Sequence, residues 1–289
     1  MNSKHNLSHR HHFIPQFYLK TWHDGQNGFW LYGRSATGRL FLRRRPAKSV
    51  AYIDDLYSLR PEGVLPLPES NADRLERCFF SPLDHLASIV HRKLVTDGVH
   101  ALSMEDRCTW ALFLNSLMER TPSRIKELES GIKTDETIDL FRQKWPFSEL
   151  PNKIDWNAIK RNAILSALIE FVVDEPFVEH VSKMVWQTVD FPEGPDHFLT
   201  SDSPLVVNNG QSNAPVLVMS IALSPQRLLV MHKNDSEFDG DFVVKLAHLH
   251  SALVTMQAEK HLISSRRLVD SRHIKYTRVA NELLRKGSF

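Results

Sequence analysis

Apolar positions change their spacing twice along the 289-residue chain, and the changes divide it into three stretches. In the first, Phe13–Trp22 reads as a short helix opened near Pro15, because proline suits a first helical turn whose N–H groups have no partner. The apolar runs at 29–31 and 40–42 flank Arg34–Gly38, a pattern that predicts a β-hairpin around a glycine-containing turn. Residues 49–59 (SVAYIDDLYSL) add a third extended piece. Residues 61–69 carry three prolines and a glycine, so they read as a loop that closes this β-rich part.

The middle stretch has the helical period. Leu75 and Phe79 lie four apart, and Pro82 is expected to break or kink the run before Leu86, Ile89 and Val90 resume it. Ser103 and Asp106 form an S-x-x-D helix start that leads into Trp110, Phe113, Leu114, Leu117 and Met118, one apolar stripe. Trp156, Ile159, Ala163 and Ala167 repeat the period after a proline-marked loop at 146–151. Phe177, Val181, Met184 and Val185 predict one more helix after Pro176.

From about residue 197 the runs shorten. Those at 198–199, 205–207, 216–223 and 228–231 are separated by Pro, Gly and Asn and read as strands. Residues 241–255 are helical in pattern, 262–265 extended, and 274–284 a closing helix. The class expected is α+β, with an N-terminal β-hairpin region, a central helical bundle and a C-terminal, mostly antiparallel sheet with terminal helices. We take residues 1–289 as a single domain with sub-regions 1–60, 70–190 and 197–289. Whether the two β parts share one sheet stays open at this stage.

Composition alters this picture in two respects. Cys78 and Cys108 are the only cysteines, which excludes a disulfide framework, and both read as small buried hydrophobes. A polar, His-rich start and the lack of long apolar runs point to a cytoplasmic protein without membrane contact. Charge is uneven: residues 1–60 carry ten Lys/Arg against three Asp/Glu, and residues 260–289 eight against two, around an acidic middle. If the two basic ends meet, they form a surface suited to phosphate-bearing partners; if not, they only neutralise the body.

Three motifs carry candidate chemistry. His9, His11 and His12 sit just before the Pro15 helix, and imidazoles serve as metal ligands or general bases near neutral pH. No compact ligand set follows them, and neighbours on an extended segment face opposite ways, so only one of His11 and His12 need face a site. Arg120, in Glu119–Pro122, can grip a phosphate or carboxylate with its planar fork or, more plainly, cap a helix end. Asp202, framed by Ser201 and Ser203, can act as a base, a metal ligand or a partner for histidine; the same residues also make a self-bonded turn. GxGxxG, Walker A, HExxH, GxSxG and EF-hand patterns are absent, which removes the usual support for dinucleotide, nucleotide-loop, zincin, lipase and calcium readings.

Taken in order, HHFIPQFYLKTW from His11, Pro46–Tyr57, Glu119–Pro122, HFLTSDSPL from His197 and Leu223–Pro225 resemble the bacterial family of unknown function numbered 4238. The HHxxP opening and the SDxP segment are the specific parts. The resemblance runs from His11 past Pro225 and implies one continuous unit without an assigned activity. It singles out His11, His12, Pro15, Arg120, Asp202 and Pro204. Where an asparagine-centred helix is expected late in such proteins, this chain has His248 and His250.

Two functions follow as expectations. In the first the protein is a phosphodiesterase or nuclease-like hydrolase. His11, His12, Arg120 and Asp202 are then catalytic, a divalent metal is compatible with the donors, and Arg43, Arg44, Arg45, Ser201 and Ser203 bind a nucleic acid or nucleotide. In the second it is a non-catalytic binding or regulatory module in which the same residues form a buried polar network. A sequence-specific DNA binder has less support: Trp22, Trp30, Tyr32 and Tyr52 near the arginine run are the stuff of hairpin cores as much as of base stacking.

Overall fold

The computed structural model describes residues 9–34, 40–60, 72–132, 155–191, 197–208, 218–233 and 240–268, together with 135, 139 and 143. The loop expected at 61–69, that at 146–151 and the closing helix at 274–284 lie outside these residues.

Strand β1 (Arg10–His12) leads into helix α1 (Gln16–Leu19), whose first turn follows Pro15, and a 3-10 turn over Lys20–Trp22. The hairpin is β2 (Phe29–Arg34) and β3 (Leu40–Arg45), and β4 (Tyr52–Asp54) returns to pair with β1. A π-helical turn over Glu76–Phe80 runs straight into α2 (Ser81–Thr96). The helical run therefore continues through Pro82, and the π-helical turn just before it is where the regular α ladder is interrupted, as a proline inside a helix requires.

Helix α3 (Met104–Glu119) begins with the full capping box: the Asp106 N–H donates to Ser103 Oγ, and the Ser103 N–H donates to the Asp106 carboxylate. Helix α4 (Pro122–Gly131) follows at once, so the Glu119–Pro122 motif is a junction between two helices and not only an end. Asp155 caps α5 (Trp156–Val172) and Asp174 caps α6 (Glu175–Ser182). The expected helix over Phe177–Val185 stops short. Val185 opens strand β5 (Val185–Asp190), held at the turn by the Trp186 indole donating to the Val181 carbonyl.

Strands β6 (Thr200–Ser201), β7 (Val206–Asn208), β8 (Val218–Ala222) and β9 (Arg227–His232), helix α7 (Gly240–Gln257) and strand β10 (His261–Ser264) complete the described chain. Phe198 and Leu199 are buried but not in a strand. The Phe198 N–H donates to the Pro225 carbonyl and the Leu199 N–H to Ser251 Oγ, which satisfies the backbone without a ladder.

The strands form three antiparallel sheets, ordered β1-β4, β3-β2-β10-β6 and β5-β9-β8-β7. The second answers the question left open by the sequence: β10 inserts beside β2, with Ile263 opposite Leu31, so the two β parts share one sheet. With it the described portion of the basic C-terminal stretch reaches the basic hairpin, and Arg267 lies over the Trp30 ring at 5.9 Å. One apolar cluster, from Phe13 to Ile263, joins strands of all three sheets to the helices. Both cysteines depart from expectation: Cys78 is exposed and Cys108 half-buried. No helix among the described residues is long and apolar enough to cross a membrane.

Candidate functional site

The β1–β4 pair divides the two histidines. His11 stands opposite Ile53 and is wholly buried, whereas His12 stands opposite Tyr52 and is half-buried, as alternation along a strand requires. Ala51 (φ 54°) and Asp55 (φ 56°) flank β4 in the left-handed region, a sparsely populated conformation for non-glycine residues that turns the chain back on itself. The turn brings Tyr57 beneath β1. Its backbone N–H donates to His11 Nδ1 at 2.8 Å, and the two rings stack at 5.4 Å. Because Nδ1 accepts, the neutral ring carries its proton on Nε2. His12 packs against Tyr52, its Nε2 is buried with no partner among the described residues, and burial holds its pKa below the usual value.

Arg120 closes α3, and Thr121, whose hydroxyl accepts from the Arg124 N–H, opens α4. The last carbonyls of a helix have no internal partner. Here the Arg120 carbonyl accepts the Tyr57 hydroxyl at 2.7 Å. The guanidinium is completely buried, with Nη1 on the Asp84 carboxylate at 2.9 Å and the Phe80 and Phe113 rings 5.5 and 5.7 Å away. Among the described residues its Nε and Nη2 have no partner. Burial raises the Asp84 carboxyl, and Arg120 pulls it back down. On the π-helical turn, Glu76 is pushed up to about 7, by burial and then by the charge of Asp84, against the pull of Arg120. Its Oε2 is buried and has no partner among the described residues.

Asp202 is engaged elsewhere. Its carboxylate accepts the backbone N–H groups of Glu259, Lys260 and His261 at 3.0, 2.8 and 3.0 Å, pinning the turn between α7 and β10. Burial still raises its pKa to about 6. Ser201 Oγ donates to the Ser203 carbonyl and accepts the Ser203 N–H, the self-bonded turn that the sequence permits.

The two centres are linked at the surface. The Glu259 side chain accepts from Ser123 Oγ, and Ser123 shares a hydrogen bond with Thr121, the residue after Arg120. A run of hydrogen bonds thus passes from His11 through Tyr57 to the Arg120 junction, and on through Ser123 and Glu259 to the turn held by Asp202.

The remaining candidates scatter. Arg43, Arg44 and Arg45 are exposed on the edge strand β3; Arg44 grips Asp24 through Nε and Nη2, and Arg43 lies over Phe41 at 5.4 Å. Trp22 is core, and Trp30, Tyr32 and Tyr52 are half-buried. His250 is wholly buried with Nδ1 on Ser220 Oγ at 3.0 Å, and burial drives its pKa to about 3; His248 is exposed. Glu76, Asp84 and Tyr57 are the site residues that sequence reasoning missed. Tyr57 ends the quoted Pro46–Tyr57 segment, whereas nothing in the local pattern marked either carboxylate. Among the described residues no three His, Cys, Asp or Glu side chains group to hold a metal ion.

This geometry defines an α+β protein whose N-terminal strand, central helix junction and C-terminal sheet are tied by polar side chains. The chain belongs to the family described as Protein of unknown function (DUF4238), whose model matches residues 10–252 and so includes every residue from His11 to His250 discussed above. No curated protein matches the chain, and no solved structure does.

Proposed function

We propose that the protein is a non-catalytic binding or regulatory module in which His11, Tyr57, Arg120, Asp84 and Asp202 hold distant segments in register. The observation that supports this reading most is the enclosure of the groups that would do chemistry: His11 and Arg120 are 0% exposed and Asp202 is 3% exposed. Each is engaged with other parts of the fold. Buried, cross-linked polar groups favour specificity of structure over turnover.

The test is a double-mutant cycle of Asp84→Asn and Arg120→Lys by denaturant unfolding, run beside hydrolysis assays on bis(p-nitrophenyl) phosphate and single-stranded nucleic acid with and without divalent metal. Asp84→Asn should cost about 3–5 kcal/mol, because it leaves a buried charge uncompensated, and the pair should couple by about 1 kcal/mol or more. Hydrolysis should stay at the buffer level. Turnover by the wild type that Glu76→Gln abolishes without loss of stability would reject the reading.

One observation favours a hydrolase acting on a phosphodiester or nucleotide. Glu76, at about 7, exchanges its proton near neutrality, and burial holds His12 below its usual value, both in the electrostatic range of Arg120. In that version Glu76 replaces Asp202 as the carboxylate of the site, and the exposed Arg43–Arg45 strand recruits nucleic acid. Metal dependence is checked by elemental analysis of the protein and its His11→Ala/His12→Ala variant: a stoichiometric metal lost in the variant would support this version.

A further inference from the structure

Asn115 of α3 and the segment joining α5 to α6 line a cavity of about 530 Å³ that opens to solvent. Asn115 is 4% exposed, and its Nδ2 donates to the Phe171 and Val172 carbonyls, both at 2.9 Å. A carboxamide has two N–H donors. Both are spent on the end of α5, so Asn115 can offer the cavity only its Oδ1, which has no partner among the described residues. The carbonyl end of α5 adds partial negative charge at the same place. Four carboxylates, of Glu119, Glu170, Asp174 and Glu175, stand around it. Arg124, the one cation in the lining, is already bonded to Glu119 through Nε and to Glu127 through Nη1, each at 2.9 Å. Asp174 caps α6 by accepting the Phe177 N–H. Glu170 and Glu175 are exposed and have neither a hydrogen bond nor an ion pair among the described residues.

We propose that this cavity binds a primary ammonium carried on a methylene chain, with the ammonium on Asn115 Oδ1, Glu170 and Glu175. A negative cavity that is rich in acceptors and has its one cation engaged selects a cation that brings its own N–H groups. An ammonium has three donors, one for each of these acceptors. Phe171 and Val173, 43% and 44% exposed, supply the apolar wall along which a methylene stem lies. The same group is presented by a free diamine or by a lysine side chain of a partner. The inference goes beyond the module reading, because none of the five residues assigned to the buried network lines this cavity.

The experiment is calorimetric titration of the full chain, at fixed ionic strength, with putrescine, with Nα-acetyl-lysine methylamide and with tetramethylammonium, which has the charge but no N–H donor. Saturable one-site binding of putrescine or of the lysine derivative is expected, and tetramethylammonium should match buffer. Glu170→Gln/Glu175→Gln alters two exposed side chains and should weaken the binding about tenfold or more. Glu105→Gln/Asp241→Asn removes two exposed carboxylates outside the cavity and should leave it unchanged. Binding of putrescine alone assigns a free amine, and binding of the lysine derivative alone assigns a partner's lysine. No binding of either, equal binding of tetramethylammonium, or undiminished binding by Glu170→Gln/Glu175→Gln would each overturn the proposal. Phosphodiester hydrolysis beside amine binding sinks only the module reading, whereas silence in the titrations without hydrolysis sinks only this ligand.

Discussion

Tyr57 supplies the missing partner of Arg120: its hydroxyl donates to the Arg120 carbonyl at 2.7 Å, where α3 has run out of backbone donors. The tyrosine is fully buried, and burial raises its pKa well above the usual value, so it remains a donor through the neutral range. Tyr57→Phe keeps the stacking on His11 and the backbone bond to Nδ1 but leaves the Arg120 carbonyl unpaired. The expected cost is about 1–2 kcal/mol, read as a lower denaturation midpoint at unchanged slope. An unchanged midpoint would show that water replaces the hydroxyl and that the junction does not depend on Tyr57.

What the sequence revealed and what it hid differ in range. The hairpin, the Ser103–Asp106 capping box and α7 were legible because their signals are local: a turn residue, a cap, a 3.6-residue period. The break or kink expected at Pro82 takes the form of the π-helical turn over Glu76–Phe80, beyond which the helix continues into α2. The Arg120–Asp84 pair was illegible, since it joins two helices whose packing no spacing encodes. Arg120 and Asp202 stood out by motif, yet motif did not say that one would be buried beside two phenylalanine rings and the other used as a turn clamp.

That clamp carries its own prediction. Asp202→Ala removes the acceptor of three backbone N–H groups at Glu259, Lys260 and His261. About 1 kcal/mol for each lost bond gives a destabilisation of roughly 3 kcal/mol. Hydrogen exchange should quicken first at those three amides, ahead of the α3 core. A variant as stable as the wild type, with the three amides still protected, would remove the structural role assigned to Asp202.

Glu76 makes stability fall with rising pH. Its folded pKa, about 7, lies above the unfolded value of 4.5, so the folded state binds more protons between the two. The contribution is complete below pH 4.5 and is lost as pH rises through 7. Glu76→Gln cannot suffer that loss, so it should gain on the wild type across this window, by roughly 2–3 kcal/mol at pH 8 relative to pH 4. The groups that set the shift are Asp84, Arg120, Asp73 and Ser81, all retained in the variant. Parallel stability curves for the two proteins between pH 4 and 8 would show that Glu76 titrates as an ordinary surface carboxylate.

His250 acts in the opposite direction. It is buried as a neutral ring with a pKa of about 3, against 6.5 when unfolded, so the unfolded chain binds the extra proton. Stability from this group is complete above pH 6.5 and is lost as pH falls toward 3, by about 2 kcal/mol at pH 5. His250→Asn, the residue expected at this helix from the family resemblance, can keep a hydrogen bond to Ser220 and does not titrate. It should be somewhat less stable than the wild type at pH 7.5, where the smaller side chain leaves space beside Phe198, and should recover or overtake it near pH 5. Denaturant midpoints at the two pH values measure the crossing directly. If the difference between the proteins is the same at both, the buried imidazole is not what makes the fold sensitive to acid.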